Sequence, residues 1–384
     1  MDAIFPFGFP FPTAWYLVLY VVTLSVHVVF MNYVLAGSGY LAIASLVGIF
    51  SRKTISASEP ETFSPIFNMV RDWLPFALSA AITAGIAPLL FLQILYQENF
   101  YTANLLLLHR WMAILPVLIV AFYLLYILKS KAMLQGTHRV LRFATALLIF
   151  LCFVFTAWSW TENHLLSMDR AVWTSFYGEK RWWYYSRVLI PRLLLWAVGS
   201  IPMFCALAGI QLYLKRKSND IGFGSEAIRR SFVRLAQLAI AGIVLTVFAG
   251  GWYWSASGGV LREAVTGRAG RVYFLSAMVF VLVGMIIWLR VMILARDGVE
   301  AGRGILAILF ASASATILCM SVVRELIRLQ TIDISRVYKI HEQASKVGGF
   351  WMFLFFAIVN IVVVMVCIRL ARRAIKRGDS GSKN

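Results

Sequence analysis

The stretch Trp15–Ile49, WYLVLYVVTLSVHVVFMNYVLAGSGYLAIASLVGI, decides the fold. It holds no Asp, Glu, Lys or Arg, and it exceeds the roughly 20 apolar residues that a bilayer-crossing helix needs. The surplus length allows tilt or extension beyond the bilayer. Near the middle sits His27. An ionisable group at that depth is costly and marks a functional position by default.

Eight further stretches have the same character: Leu74–Tyr96, Leu105–Leu128, Phe143–Trp160, Leu193–Leu214, Leu235–Trp254, Val272–Leu289, Ile305–Val323 and Phe350–Leu370. The expectation is an all-α polytopic membrane protein of about nine transmembrane helices, arranged as two four-helix bundles plus one helix. Residues 1–165 would form the first bundle and 187–326 the second. Residues 327–348 would form an outer amphipathic segment, and 349–384 the last helix with a basic tail.

Composition agrees. Of 384 residues, 61% are hydrophobic and only 14% charged, which excludes an ordinary soluble enzyme. The net charge of +19 would suggest nucleic acid in a soluble protein. Here it fits loops that hold topology and face anionic lipid, so no nucleic-acid partner is expected. With the N-terminus outside, 22 of the 36 Lys and Arg fall on segments expected inside and 14 on those outside. That bias predicts N-out, C-in, with a cytoplasmic tail. MDAIFPFGFPFP lacks a positive n-region and a small-residue cleavage site, so it does not read as a removable signal peptide. Cys152, Cys205, Cys319 and Cys367 each stand alone in apolar stretches. This argues against zinc ribbons, iron–sulfur ligation and covalent c-type haem, and for core thiols.

Five histidines could carry chemistry. His138 and His341 read as solvated, and His164, just past the fourth stretch, as interfacial. His27 shares a helical face with Thr23, Met31 and Ser38. Two readings stand for it: a histidine hydrogen-bonded to a neighbouring helix, or a metal ligand. His109 lies at the edge of the third stretch with Arg110 beside it, an arginine suited to a haem propionate or to snorkelling. At the end of the eighth stretch, Arg324 and Arg328 share a face at i, i+4 and could hold propionates or a quinone headgroup, or anchor the helix. Glu325 is a candidate proton carrier or half of an ion pair. The segment TENHLLSMDRAVWTSFYGEKRWWYYSR is crowded with Trp and Tyr, as a membrane interface or a docking surface would be.

The pattern resembles subunit I of cytochrome bd-type quinol oxidases, or a divergent relative. The residues that carry the likeness are His27 in the first helix and Thr83, Gly85, Phe91, Gln93 and Asn99 in TAGIAPLLFLQILYQENFY. AWSWTENHLLS, ending the fourth stretch, and Arg324, at the place of a Gly-Arg-Gln-Pro-Trp motif, add to it. The likeness spans most of the chain in topology and short patches in sequence. It departs where the motif reads Val-Arg-Glu-Leu-Ile and where Met320 and Ser321 stand in place of a ligand glutamate. The fifth helix lacks His, and the third has His109 instead of glutamates. The quinol loop is reduced to SASGGVLREAVTGRAGR.

The resemblance implies a quinol-linked oxidoreductase subunit of the bacterial or archaeal cytoplasmic membrane. It would carry one or two non-covalent b haems on His27 and His109, with Arg110, Arg324 and Arg328 as further cofactor contacts. Electrons from quinol would pass to a soluble or membrane-attached redox subunit on the outer face, such as a c-type cytochrome. The alternatives are a haem-free quinone-binding anchor and a small-molecule transporter.

Overall fold

In a computed structural model, residues 3–50, 64–130, 133, 139–217, 225–297, 301–347 and, in the last helix, 351–359, 361–363, 365–366 and 369 are described. Among them there is no strand. Eight helices are long and apolar enough to cross a membrane. They are α1 (Phe11–Phe50), α2 (Pro65–Leu95), α3 (Leu108–Lys129), α4 (Arg139–Met168), α5 (Leu189–Lys217), α6 (Ser225–Ala256), α7 (Arg268–Arg296) and α8 (Arg303–Thr331). A ninth span exists if Ile334–Lys346 and Trp351–Val363, bent by 60° at a short break, count as one. The chain is an all-α polytopic membrane protein. His138, Cys367 and the basic tail lie outside the described residues.

Local chemistry sets the helix ends. α2 begins where the Ser64 hydroxyl accepts the Phe67 N–H at 3.2 Å, with Pro65 at the first helical position. There its missing N–H costs nothing. Short helices cap the bundle at Gln97–Leu106, Trp173–Gly178, Gly258–Thr266 and Tyr338–Lys346.

The first four long helices pack on one another, α1 against α2 and α4, and α3 against α2 and α4. The other four do likewise, α5 against α6 and α8, and α7 against α6 and α8. α1 joins the groups by lying on both α5 and α8. Lipid offers no hydrophobic drive for such packing, so close approach decides it. A Cβ on Gly242 of α6 would fall 2.8 Å from the Cβ of Ile201 on α5, so only glycine allows this crossing. Phe76, Val247 and Phe248 face outward, more than half exposed, as lipid-facing side chains do.

Several helices outrun the stretches read from hydropathy, and two of these extensions carry residues of the site. α4 continues from Trp160 to Met168, and α8 from Val323 to Thr331. Three polar side chains in the first extension meet partners on other helices. Glu162 pairs with Arg110, Asn163 donates to Asn104 at 2.6 Å, and His164 meets Arg328. His164 is therefore buried rather than interfacial. His341 is also buried rather than solvated, fully enclosed with its Nδ1 2.8 Å from the Thr13 hydroxyl. Cys152, Cys205 and Cys319 are free, buried core thiols.

Candidate functional site

A cavity of about 340 Å³ lies between the two helical groups. Its walls are apolar, with polar groups from five helices: Tyr20 and His27 (α1), Asn163 and His164 (α4), Arg192 (α5), and Arg324 and Arg328 (α8), with Tyr96 at the end of α2.

His27 is held through its inner ring nitrogen. Nδ1 lies 2.9 Å from the carbonyl oxygen of Ala81 on α2. A carbonyl only accepts, so Nδ1 carries the proton and Nε2 of the neutral ring keeps its lone pair. Donation of the second ring N–H to a backbone carbonyl is the usual way a metal-binding histidine is oriented. Gly85, one turn along α2, leaves the necessary room. A Cβ there would sit 3.0 Å from both Cε1 and Nδ1 of the ring.

His164 has the opposite tautomer. Its Nδ1 receives a hydrogen bond from the Arg328 guanidinium, which can only donate. The proton of the neutral ring is therefore on Nε2, so His164 is a hydrogen-bond donor on that side. Arg328 itself is compensated. It sits 3.4 Å from the Glu325 carboxylate and 3.3 Å from the Tyr20 hydroxyl, over the ring of Tyr96 at 4.7 Å. Tyr96 donates its hydroxyl to Glu325, which is fully buried and saturated by these two partners.

The other two arginines are not compensated. Arg192 is only 7% exposed. The Nε of Arg324 is buried without a hydrogen-bond partner. Among the described residues neither meets a carboxylate within ion-pair distance. Unpaired buried charge is expensive, and only a negative ligand or water offsets it. Seven residues along α1 separate Tyr20, beside Arg328, from His27, which is roughly 10 Å of helix. The cavity thus combines cations from α5 and α8 with an imidazole that lies about two turns of α1 from the Arg328 contact, in a largely apolar wall. Ile82 and Ile86 of α2 line it and are also 46% and 54% exposed, so it reaches the lipid-facing surface.

His109 is not among the residues lining this cavity. It is exposed and stacks on Trp182, ring centres 5.2 Å apart. Arg110 is also elsewhere, paired with buried Glu162 and 4.2 Å over the ring of Trp183. Glu162 also accepts the Tyr184 N–H at 2.7 Å, which fixes the aromatic segment on the bundle. Burial and a hydrogen bond to Asp169 at 2.8 Å hold the Tyr184 phenol above its ordinary pKa. Trp182, Trp183 and Tyr185 on that segment are exposed. Sequence reasoning thus singled out His27, Arg324 and Arg328 in the cavity wall, and did not weigh Arg192 or give His164 a role there. Arg192 opens a span, where an arginine reads as an interfacial anchor.

The donors fit a b-type haem: an imidazole lone pair for iron, an apolar slot, and cations for two propionates. Among the described residues no cluster of three or more His, Cys, Asp or Glu side chains converges on a bare-metal site. No protein-family model matches the sequence, and no curated protein matches it.

Proposed function

We propose that the chain is a b-haem-binding, quinol-linked electron-transfer subunit of a respiratory membrane complex. It would lie in a bacterial or archaeal cytoplasmic membrane and exchange electrons with a redox subunit on the outer face. One observation carries the haem part. His27, oriented by the Ala81 carbonyl, lines a largely apolar cavity together with Arg192 and Arg324, which among the described residues have no carboxylate partner. A dianionic, planar, apolar ligand answers every feature of that cavity.

In this reading His27 would hold the haem iron, and the Ala81 carbonyl orients its ring. Arg192 and Arg324 would hold the propionates, with Arg328, already paired with Glu325, beside them. His109 and Arg110 take no part in this cavity; they support the aromatic segment where a partner would dock. Bound haem supplies one-electron chemistry. The chain's own residues orient it, neutralise it and exclude water.

The opposed histidine tautomers favour one second reading, a haem-free quinone site. The His164 Nε2–H would donate to one ring oxygen, and His27 Nε2 would accept from a hydroxyl at the other. A pyridine haemochrome assay on the purified chain separates the two. Haem in near-stoichiometric amount, lost in His27→Ala, supports the first. A folded, colourless wild-type protein that binds quinone refutes it.

A further inference from the structure

His341 is a buried histidine that the central cavity does not use. It lies on the short helix Tyr338–Lys346, outside the eight spans. That helix packs on α1 and α2. The ring is fully enclosed, with Nδ1 2.8 Å from the Thr13 hydroxyl of α1. It stands edge-on to Tyr16, ring centres 6.2 Å apart. Nε2 is buried and, among the described residues, has no hydrogen-bond partner. No carboxylate faces the ring from any side. α1 carries no Asp, Glu, Lys or Arg and offers only the Tyr16 phenol. α2 offers the carbonyls of Ile94 and Leu95 at its end, while its charged pair, Arg71 and Asp72, is at the opposite end. Beyond α2, exposed Glu98 is paired with Arg170. On the short helix and the turn before it, Lys346 pairs with Glu342 and Arg336 with Asp333, all exposed. Lys339 is exposed and Tyr338 packs on the apolar core. A second ring proton would bring an unmet N–H and an unpaired charge into this contact. Burial holds the His341 pKa below its ordinary value, and the two carbonyls offset this only in part.

We propose that His341 is an acid-released latch: it fastens helix 338–346 across the ends of α1 and α2 while neutral and frees it on protonation. The sign follows from linkage. A released imidazole takes its proton near pH 6.5, roughly its ordinary pKa, and a docked one only at lower pH. Docking is therefore fully favoured above about pH 6.5. Below it the docked-to-released ratio falls about tenfold per pH unit until the docked pKa is reached. The latch adjoins the cavity. Tyr16 lies one turn of α1 from Tyr20, and Leu95 precedes Tyr96. Tyr20 and Tyr96 line the cavity and hold Arg328 and Glu325. Tyr338 and Ala344 of the short helix pack on the same apolar cluster as these two tyrosines. Acid on the side that helix 338–346 faces thus loosens that end of the cavity, whichever ligand the cavity takes.

The test is amide hydrogen exchange by mass spectrometry on the full-length protein in lipid nanodiscs. It is read on peptides from 334–346 between about pH 7.5 and about pH 5 and corrected for the intrinsic rate. Wild-type protection is expected to fall about tenfold per pH unit below about pH 6.5. His341→Asn keeps a polar group for the Thr13 hydroxyl but has no proton to gain, and its corrected protection stays level. Exchange of the imidazole C2 hydrogen, measured on the same wild-type peptides, follows the titration of His341 itself. Its midpoint is expected below the ordinary value and in step with the loss of amide protection. A level wild-type profile, or an equally steep fall in His341→Asn, overturns the proposal. Should His341→Asn be unprotected at every pH, the C2 titration decides alone. A midpoint at or above the ordinary value, or one out of step with amide protection, then overturns it.

Discussion

Gly85→Ala adds a single methyl group on α2 against the His27 ring, one turn from the Ala81 carbonyl that the ring meets. The new Cβ would stand 3.0 Å from Cε1 and Nδ1, closer than ordinary contact. The ring can retreat only by giving up the 2.9 Å bond to Ala81 or by leaving its rotamer. Either loss is worth about 0.5–1.5 kcal/mol. Replacing a mid-helix glycine with alanine returns about 0.8–1.0 kcal/mol of helix propensity. Fold stability without ligand is therefore expected to change by less than about 1 kcal/mol. Ligand affinity has no such offset. Disturbing the group that orients a metal-binding histidine costs roughly 10–100-fold in affinity. The assay is haem transfer to an excess of apomyoglobin, followed by absorbance, alongside thermal unfolding of the ligand-free protein. Gly251→Ala is the control, since nothing lies within 4 Å of its Cβ position. Haem retention equal to wild type in Gly85→Ala would refute the argument that the Ala81–His27 bond sets the ligand geometry.

His109→Ala is expected to leave haem content and the Soret band unchanged, because this ring stacks on Trp182 outside the cavity. Loss of haem in that variant would return His109 to the ligand set. Arg110→Ala strands Glu162, whose side chain is 1% exposed, without its ion pair. Breaking such a buried pair from one side costs about 3–5 kcal/mol. Its readouts are a lower unfolding temperature and faster tryptic cleavage at Lys180 and Arg181. Arg170→Ala, in an ion pair with Glu98 whose side chains are 43% and 59% exposed, is expected to cost under about 1 kcal/mol. Equal effects of the two arginine variants would contradict the burial argument.

Hydropathy carried most of the fold, because in a bilayer every backbone polar group must be satisfied within its own helix. A long apolar run then has one solution, and eight of the nine stretches coincide with long helices, the third from Leu108 onward, after a break at Leu107. The ends failed for a reason visible in α4. Thr161, Glu162, Asn163 and His164 lower the local hydropathy, yet each is buried, and three of them meet partners on other helices. Composition counts such residues as outside; the bundle holds them inside. The α8 extension has the same cause, with Glu325 and Arg328 satisfied by Tyr96, Tyr20 and His164.

The candidate site was legible only where one residue was anomalous on its own helix. His27 stood out because its neighbours in sequence are apolar. Arg192 did not, because an arginine at the start of a span has an ordinary explanation in snorkelling. What distinguishes it is the missing carboxylate, a property of what α1, α4 and α8 bring beside it rather than of α5 itself. The same convergence gives the cavity its polarity. Cations from α5 and α8 line it, and His27 lies about two turns of α1 from Tyr20, which Arg328 contacts. The partly exposed Ile82 and Ile86 border the cavity on the lipid side. A ligand with a charged head and an apolar body, arriving from the bilayer rather than from water, meets each of these features in turn. A small hydrophilic solute would meet only the arginines, with no partner for the apolar walls that make up most of the cavity.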